Sequence, residues 1–457
     1  MYYHHRIIAA LIVGTSFFLA DAGRLPLKDI TTSFKGNTPL RKRKADSPAT
    51  PFSQQLKKPR CAVQENTSLS PIVTTLKANT DESQVLFSPQ GDPMKIIMQK
   101  LEKTYKDNAN PRKSKIFLNA WLLTHSAFVD RLIEASDAGV KVSLIVGKQS
   151  CKHNKGVLAR LAVKDDIKLY LLNKTYANHL KTIAYQYYDQ DNESVRYGVE
   201  YGSANFTYFG SYHNKENVQI EESNCPLSFN TFVKFFNETK RACVSWEEFL
   251  NENYSPNTPE RLDCKELMYT PSPFKSSYHC STHYDLWGGV IDRIAPARKG
   301  DKVIISSCTY NHPELTDKLC GLLKHGVKAS LFLDRRCIKG KKSLAQLQKL
   351  EEAGAEINCY KPPGNGRQLH HEKFALIHRF DKTILCTLTK NAVKKANDRD
   401  IDIMVMRLYE DEAEVIQEYL SHIEQLRVSY HYSNFNAADD ARECDDDVVD
   451  PRVLLFD

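Results

Sequence analysis

A histidine followed two residues later by a lysine is a pair that can act on a phosphate group. A neutral imidazole can attack phosphorus, a protonated imidazole can give its proton to a leaving oxygen, and an ammonium group attracts phosphoryl oxygens. This spacing occurs four times in the 457 residues, at His153/Lys155, His179/Lys181, His213/Lys215 and His371/Lys373. Because a solvated basic surface can contain the same triplet, the surrounding sequence has to indicate which copies do chemistry.

An internal repeat supplies that context. Residues 115–147 align without a gap with residues 302–334, at an offset of 187 residues. Each copy has the periodicity of a strand, an amphipathic helix ended by a glycine, and a second strand. The predicted elements are Ile116–Leu122, Phe128–Ala138 and Val140–Val146 in the first copy, and Val303–Cys308, Glu314–Lys324 and Val327–Leu333 in the second. Strand, helix and strand in this order predict parallel strands, so the chain is predicted to contain two copies of one α/β module.

Two of the four triplets share the repeat. His179/Lys181 and His371/Lys373 lie 192 residues apart, and a strand-like apolar run follows each of them. A hydroxyl residue, an asparagine and an acidic residue come next: Ser203, Asn205 and Glu216 in the first copy, and Thr389, Asn391 and Asp400 in the second. The triplets at His153 and His213 have no such counterparts, and we expect them on the surface.

The doubled pattern indicates an active site made of two halves. On a strand, residues i and i+2 point to the same face, so each His-x-Lys pair directs both side chains at one phosphate. One copy then supplies half of a site, and two copies facing each other supply a complete one. Lysines attract phosphoryl oxygens, and asparagine or hydroxyl side chains add hydrogen bonds. No cluster of carboxylates or of Cys and His has metal-ligand spacing, so neither a metal nor another cofactor is expected.

These motifs resemble those of the phospholipase D superfamily, whose hallmark is a doubled H-x-K-x4-D motif followed by G-S/T-x-N and an acidic residue. The resemblance runs from about Phe87 to about Arg427. It implies an α/β fold of two pseudo-symmetric phospholipase D-like modules, each a mixed β-sheet flanked by helices, with the active site at their interface. Since both half-sites lie in one chain, a monomer is expected.

The resemblance also implies roles for the residues. Because the first copy keeps the fuller motif, His179 is predicted to be the nucleophile and His371 the general acid. The catalytic set is His179, Lys181, Asn205, His371, Lys373 and Asn391, and the supporting set is Ser203, Glu216, Thr389 and Asp400. Three positions depart from the family pattern: Gln186 and His378 replace the motif aspartates, and Leu388 replaces the second glycine. Branches such as the tyrosyl-DNA phosphodiesterases also lack the aspartate, so the departures weaken a conventional phospholipase assignment more than they weaken catalysis.

The predicted activity is cleavage of a phosphodiester through a phosphohistidine intermediate, with phospholipid as the first substrate. A metal-independent nuclease or DNA-end phosphodiesterase of the same superfamily is the alternative, because the formal net charge of +7 and a basic N-terminal arm favour polyanions. A non-catalytic module that binds anionic lipid or nucleic acid is the third hypothesis.

The flanking segments indicate targeting. Residues 1–22 combine a basic residue, an apolar run from Ile7 to Ala20 and a small-x-small site, as a secretory signal peptide does. Residues 23–84 are poor in large apolar residues, which predicts disorder, and they carry two basic clusters, Arg41–Lys44 and Lys57–Arg60, spaced like a bipartite nuclear-import signal. We therefore expect secretion, with a nuclear-import receptor as a partner after delivery to a host cell; a solvated basic tail is the alternative. The modules are predicted at 85–255 and 256–430, before an acidic tail at 431–457.

The twelve cysteines leave the redox state open. An exported chain usually forms disulfides, but several cysteines, among them Cys308 and Cys386, fall in predicted buried strands. Free buried thiols are therefore as consistent with the sequence as bridges. No tight C-x-x-C spacing occurs, so zinc is not expected.

Overall fold

The computed structural model of the chain describes residues 82–436, except 107, 109, 173–176, 251–275, 282–284, 365, 381, 395–399, 411–412 and 430. All of the described residues belong to one compact unit. The predicted signal peptide, the two basic clusters and the predicted boundary between residues 255 and 256 lie outside the described residues.

A mixed sheet is the centre of the first module. The strands of this half of the chain are β1 (Glu82–Ser88), β2 (Lys115–Ala120), β3 (Lys141–Val146), β4 (Ile167–Leu172), β5 (Ala177–Asn178), β6 (Lys181–Asp189), β7 (Ser194–Gly202), β8 (Glu216–Ser223) and β9 (Cys243–Ser245). All of these except β5 form one sheet in the spatial order β1-β8-β7-β6-β2-β3-β4-β9. Within it β2, β3 and β4 are parallel, and β6 is antiparallel to β2.

A second mixed sheet forms the other module. Its half of the chain contains β10 (Ser276–Ser281), β11 (Lys302–Ser307), β12 (Tyr310–Asn311), β13 (Lys328–Asp334), β14 (Glu356–Tyr360), β15 (Phe374–His378), β16 (Lys382–Leu388), β17 (Ala392–Val393), β18 (Asp400–Glu410) and β19 (Tyr432–Asn434). The sheet order is β10-β18-β16-β15-β11-β13-β14-β19, and β12 pairs separately with β17. Strands β11, β13 and β14 are parallel.

The two sheets have the same architecture. The order β8-β7-β6-β2-β3-β4-β9 corresponds strand for strand to β18-β16-β15-β11-β13-β14-β19, and β1 and β10 occupy equivalent edges. The repeated strand–helix–strand units are β2–α2–β3 and β11–α8–β13, where α2 is Ser126–Asp137 and α8 is Pro313–Lys324. The predicted α/β fold of two mixed-sheet modules is therefore confirmed, with element ends shifted by at most two residues.

Helices flank both sheets. The other described helices are α1 (Pro93–Glu102), α3 (Lys148–Ala162), α4 (Tyr208–Tyr212), α5 (Leu227–Lys240), α6 (Trp246–Leu250), α7 (Leu286–Ile294), α9 (Lys341–Glu352) and α10 (Glu414–Val428), with short 3-10 turns at Pro111–Lys113 and Arg335–Cys337. Helix α2 is followed by Gly139 and helix α8 by Gly326, both with positive φ (97° and 81°), the conformation that stops a helix and favours glycine. In the part of the chain that the structure describes, no helix is long and apolar enough to cross a membrane.

The hydrophobic cores join the modules. Apolar residues of α5, including Phe232 and Phe235, pack with Ile401 and Ile403 of β18, a strand of the other sheet. In the same way Val85 of β1 packs into the core between α10 and the second sheet. Each module therefore completes part of the core of its partner, and burial of this shared apolar surface fixes the two halves against each other.

Two predicted boundaries need correction. Residues 82–84, placed in the disordered arm by the sequence, belong to β1, which pairs with β8 from Glu82 onward. The segment placed at the start of the acidic tail contains β19, which pairs with β14 and is equivalent to β9 of the first module. The residues at these two boundaries carry little local signal, and the sheet pairing defines where the strands begin and end.

Candidate active site

Each His-x-Lys segment is positioned by a strand of the opposite module. Strand β5 leaves the first sheet and pairs in parallel with β18, and the N–H of His179 then donates to the carbonyl oxygen of Ile401 at 3.0 Å. In the second copy Lys215 and His370 form a parallel bridge, and the N–H of His371 donates to the carbonyl oxygen of Lys215 at 2.8 Å. The two arrangements are equivalent, so each module holds the His-x-Lys segment of the other.

The residue after each of these carbonyl groups supplies a carboxylate to the histidine ring. Asp402 follows Ile401, and its Oδ1 lies 2.7 Å from Nδ1 of His179. Glu216 follows Lys215, and its Oε1 and Oε2 lie 2.9 and 2.8 Å from Nδ1 of His371. A carboxylate on Nδ1 keeps the proton there and leaves Nε2 as the reactive nitrogen. Each histidine thus comes from one module and its carboxylate from the other.

One predicted site residue is corrected by this geometry. The acidic residue equivalent to Glu216 is Asp402, not Asp400, whose side chain lies outside the described residues. The sequence did contain the signal, because the two hydroxyl-x-Asn turns are 186 residues apart and the same offset leads from Glu216 to Asp402.

Both lysines are buried and fold back along their own triplets. Nζ of Lys181 donates to the carbonyl oxygen of His179 at 2.8 Å, and Nζ of Lys373 donates to that of His371 at 2.6 Å. An ammonium group has three N–H donors, so it can bind a phosphoryl oxygen while it keeps this bond. The indole of Trp121 lies against the first pair, with 4.8 Å between its centroid and that of the His179 ring and 5.1 Å to Nζ of Lys181.

Three buried polar atoms of the predicted site have no hydrogen-bond partner among the described residues. They are Nε2 of His371 and the Oδ1 atoms of Asn205 and Asn391. A buried polar atom without a partner is costly, so such atoms mark a position where water or a ligand completes the bonding. The predicted asparagines and His371 therefore present unsatisfied polar groups, as a site that binds a polar ligand should.

The two hydroxyl residues tie strands together. Oγ of Ser203 accepts from the N–H of Asn217 at 2.9 Å. Oγ1 of Thr389 accepts from the N–H of Ile403 at 3.0 Å and donates to Oδ1 of Asp402 at 3.0 Å. Thr389 therefore orients the carboxylate that binds His179, and neither hydroxyl is left as a separate ligand group.

Asn217 and Trp121 were missed by the sequence analysis. Oδ1 of Asn217 accepts from the backbone N–H of Lys373 at 2.9 Å, a further bond between the modules at the second triplet. The equivalent residues in the second copy are Ile403 and Cys308 respectively, so comparison of the two repeats gives no signal for either residue.

Burial sets the protonation of the site. Burial and the neighbouring Lys181 charge lower the pKa of His179 to about 4, although Asp402 acts in the opposite direction. Burial lowers the pKa of His371 to about 4 against the effect of Glu216, and burial lowers that of Lys373 to about 8. Lys373 also acts on His179, and Lys181 on His371, which shows that the two triplets share one electrostatic environment.

The departures from the family motif lie away from these contacts. Gln186 is bonded to the carbonyl oxygen of Lys113 at 3.0 Å, and Nδ1 of His378 lies 2.9 Å from Oγ1 of Thr383. A Cβ on Gly202 would lie only 2.1 Å from the Asn217 carbonyl oxygen, which explains the glycine of the first copy. Its counterpart Leu388 is instead fully buried in the core of the second module.

The other two triplets differ from each other. The side chain of His153 lies outside the described residues. Lys215 was expected on the surface, but it is half-buried. Its backbone bridges the modules because it immediately precedes Glu216, the first residue of β8. Within the described ranges, no group of three or more His, Cys, Asp or Glu side chains has the geometry to hold a metal ion.

The doubled sheet places histidine, lysine and carboxylate groups of both modules at their interface. A family model described as "Cardiolipin synthase, PLD-like domain" matches residues 107–239 and 290–427, one span in each module. The chain belongs to this phospholipase D-like family. No curated protein matches it by sequence.

Solved structures show the same fold at low identity. The chain is similar to the polyphosphate kinase of Porphyromonas gingivalis, with 13% identity, a TM-score of 0.53 and coverage of 78% of this chain and 49% of that one, so it spans about half the length of the kinase. It is also similar to the phosphatidylserine synthase of Haemophilus influenzae Rd KW20, with 13% identity, a TM-score of 0.51 and coverage of 78% and 88%.

Proposed function

We propose that the chain is a phosphodiesterase that works through a phosphohistidine intermediate on His179. The observation that supports this most is the pair of crossed histidine–carboxylate contacts, His179 with Asp402 and His371 with Glu216, each of which leaves Nε2 for reaction. Two imidazoles with their reactive nitrogens available are what a double displacement at phosphorus needs.

The two histidines have different surroundings, which supports different roles. The side chain of His179 is 17% exposed, whereas that of His371 is 1% exposed and its Nε2 has no partner among the described residues. In the proposed reaction Nε2 of His179 attacks phosphorus and His371 gives a proton to the leaving oxygen. His371 then removes a proton from the water that hydrolyses the N–P bond.

The remaining groups bind the phosphoryl oxygens. Lys181 and Lys373 offset their negative charge, and the amides of Asn205 and Asn391 add hydrogen bonds. A bound phosphodiester is an anion, so it favours the protonated form of His371 that the acid role requires. This effect opposes the burial that lowers the pKa of His371 to about 4 in the free site.

Phospholipid is the proposed first substrate class. The matched family model carries the name of a cardiolipin synthase, and a phosphatidylserine synthase has the same two-module fold over most of both chains. The predicted basic arm supports nucleic acid as the second candidate. Turnover of labelled phosphatidylcholine, cardiolipin and single-stranded DNA by the full chain would distinguish the two.

A trapping experiment tests the intermediate. In His371→Ala the second step lacks its base, and the first step lacks its acid. Bis(p-nitrophenyl) phosphate has a leaving group that needs no acid, so incubation with it should leave a phosphoryl group on His179, visible by intact mass and peptide mapping. His325→Ala, at an exposed histidine at the end of α8, is the control and should turn over normally. An adduct on His371 in the His179→Ala variant would reverse the roles, and full activity of His179→Ala would refute the catalytic proposal.

Localisation is a separate proposal. We propose that residues 1–22 direct export and that Arg41–Lys44 and Lys57–Arg60 bind a nuclear-import receptor in a host cell. A fluorescent fusion of residues 23–84 in a eukaryotic cell should accumulate in the nucleus, and lose this accumulation when Lys57, Lys58 and Arg60 become alanine. Diffuse fluorescence of the intact fusion would leave a solvated basic tail.

A further inference from the structure

Cys308 and Cys337 form a pair of thiols beside the second half-site. Their sulfur atoms lie 3.2 Å apart, with Cys308 donating to Cys337, although the residues are 29 positions apart in sequence. Both are buried, with 3% and 8% of their surfaces exposed. The contact arises because β11 and β13 are parallel neighbours: Cys308 follows the end of β11, and Cys337 ends the 3-10 turn after β13.

One side chain links the thiols to the backbone of His371. Leu369 packs against both cysteines. Its N–H donates to Oδ1 of Asn214 at 3.0 Å, and its carbonyl oxygen accepts from the N–H of Lys215 at 2.7 Å. Lys215 in turn accepts from the N–H of His371. A displacement at the thiol pair therefore passes through Leu369 to the bonds that position the imidazole.

Arg336 provides a second link. Its Nη1 donates to the carbonyl oxygen of Gly366 at 3.0 Å, and its Nη2 donates to that of Gln368. The turn that carries Cys337 is thus bonded to the segment that leads into the second triplet. Burial lowers the pKa of Lys373, and negative charge on either thiol would act in the opposite direction.

The pair exists in one half of the repeat only. At the offset of 187 residues, the positions of Cys308 and Cys337 are occupied in the first module by Trp121 and Ser150. There, Oγ of Ser150 lies 3.2 Å from the carbonyl oxygen of Trp121, so the same two positions touch without sulfur. Neither cysteine has a role in the reaction proposed above.

We propose that Cys308 and Cys337 are a redox-sensitive dithiol, which a low-molecular-weight disulfide oxidises to an intramolecular disulfide that displaces Leu369 and lowers activity. One cysteine of the pair, as its thiolate, attacks the small disulfide, forms a mixed disulfide and releases one small thiolate. The other cysteine then attacks the sulfur of the first and releases the second small thiolate. One disulfide bond forms as another breaks, two electrons pass to the small molecule, and the two thiol protons end on the released thiols.

The size of the movement sets the expected effect. A disulfide needs a sulfur–sulfur distance of about 2.0 Å, so the two sulfur atoms must approach each other by roughly 1 Å, and Leu369, which packs against both, must adjust to this movement. A catalytic group misplaced by about 1 Å can lose on the order of 100-fold in rate, so we expect a loss of about 10- to 100-fold. The hydrogen bond with Cys308, together with burial, raises the pKa of Cys337 well above its usual range, so oxidation should be slow and should accelerate with pH.

Oxidation of the intact chain tests this directly. The full chain is reduced with dithiothreitol, desalted, and incubated with oxidised glutathione at increasing pH. Free thiols are then alkylated, and disulfide-linked peptides are identified by mass spectrometry. Turnover of bis(p-nitrophenyl) phosphate is measured before oxidation, after it, and after a second reduction. Cys337→Ala removes the pair, and Cys386→Ala, at a buried thiol of β16, is the matched control.

The expected result is a Cys308–Cys337 linkage with a 10- to 100-fold loss of turnover that reduction reverses, in the native chain and Cys386→Ala but not in Cys337→Ala. A chain that forms no such linkage, or one that forms it with unchanged turnover, overturns the proposal. The activity readout rests on the proposed function, so hydrogen exchange of peptide 366–373 is measured on the same samples. Faster exchange on oxidation in a chain without any turnover would mean that the phosphodiesterase proposal alone has failed. Unchanged exchange would overturn the dithiol.

Discussion

Replacing Asp402 by asparagine tests the crossed histidine–carboxylate contacts most directly. Oδ1 of Asp402 binds Nδ1 of His179 at 2.7 Å and accepts from Oγ1 of Thr389 at 3.0 Å. An asparagine fits the same space and can still accept both hydrogen bonds through Oδ1. The substitution therefore removes the negative charge and leaves the shape of the site nearly unchanged.

The magnitude follows from the burial of the pair. The side chain of Asp402 is 4% exposed, so water does not replace the lost charge. A hydrogen bond to a charged group contributes about 1.5–3 kcal/mol, and about 1.4 kcal/mol is a factor of ten in rate. During attack the imidazole becomes a cation, and Asp402 stabilises that cation more than it stabilises the neutral ring. We therefore expect Asp402→Asn to lower kcat by roughly 10- to 150-fold, with little change in KM.

The assay is steady-state turnover of a small diester, with circular dichroism and thermal unfolding to verify that the variants fold. Asp317→Asn is the matched comparison, because it makes the same change at a side chain of α8 that is 72% exposed. We expect it to stay near the native rate. An Asp402→Asn enzyme within twofold of the native rate would refute the reasoning, as would an equal loss in Asp317→Asn.

Three further predictions concern pH and metals. The proposed reaction needs a neutral His179 and a protonated His371 in the free enzyme. Because burial lowers the pKa of both histidines to about 4, kcat/KM should be greatest near pH 4 and fall toward neutrality. An optimum above pH 7 would contradict this prediction. Burial raises the pKa of Glu200 from 4.5 to about 8, so the folded state holds a proton that the unfolded chain releases, and stability is lost as pH rises from 4.5 toward 8. In urea unfolding, the free energy of unfolding of the native chain should fall relative to that of Glu200→Gln, by at most about 1.4 kcal/mol per pH unit. Parallel pH profiles of the two proteins would contradict this prediction. Finally, activity should survive excess EDTA, because the buried Lys181 and Lys373 supply the positive charge at the phosphate. A loss of activity in EDTA that added magnesium or zinc reverses would contradict this prediction.

The repeated α/β units were predictable because their signals are local. Amphipathic periodicity, and glycines such as Gly139 and Gly326 at helix ends, depend on residues within a few positions of each other. The repeat at an offset of 187 residues then doubled every such signal. Strand β19 shows where local reading fails, since three residues with no clear pattern form a strand only because β14 offers an edge.

The active site likewise has features that the sequence predicts and features that depend on the tertiary structure. Residue types and their spacing were sufficient to select His179/Lys181 and His371/Lys373 from four similar triplets, because a doubled motif is a property of the chain order. They did not determine which carboxylate binds which histidine. His179 and Asp402 are 223 residues apart, and His371 and Glu216 are 155 apart, and each pair meets only because strands of the two sheets exchange backbone hydrogen bonds.

Local sequence order thus specified the two modules and the chemistry that each carries. Packing of the shared cores decided that each histidine is paired across the interface, that Asn217 holds Lys373, and that Cys308 touches Cys337. The physical reason is that side-chain contacts of a few ångströms between distant segments depend on how whole sheets register against each other. That registration comes from the buried apolar surface and backbone bonding of the complete fold, and no short stretch of sequence encodes it.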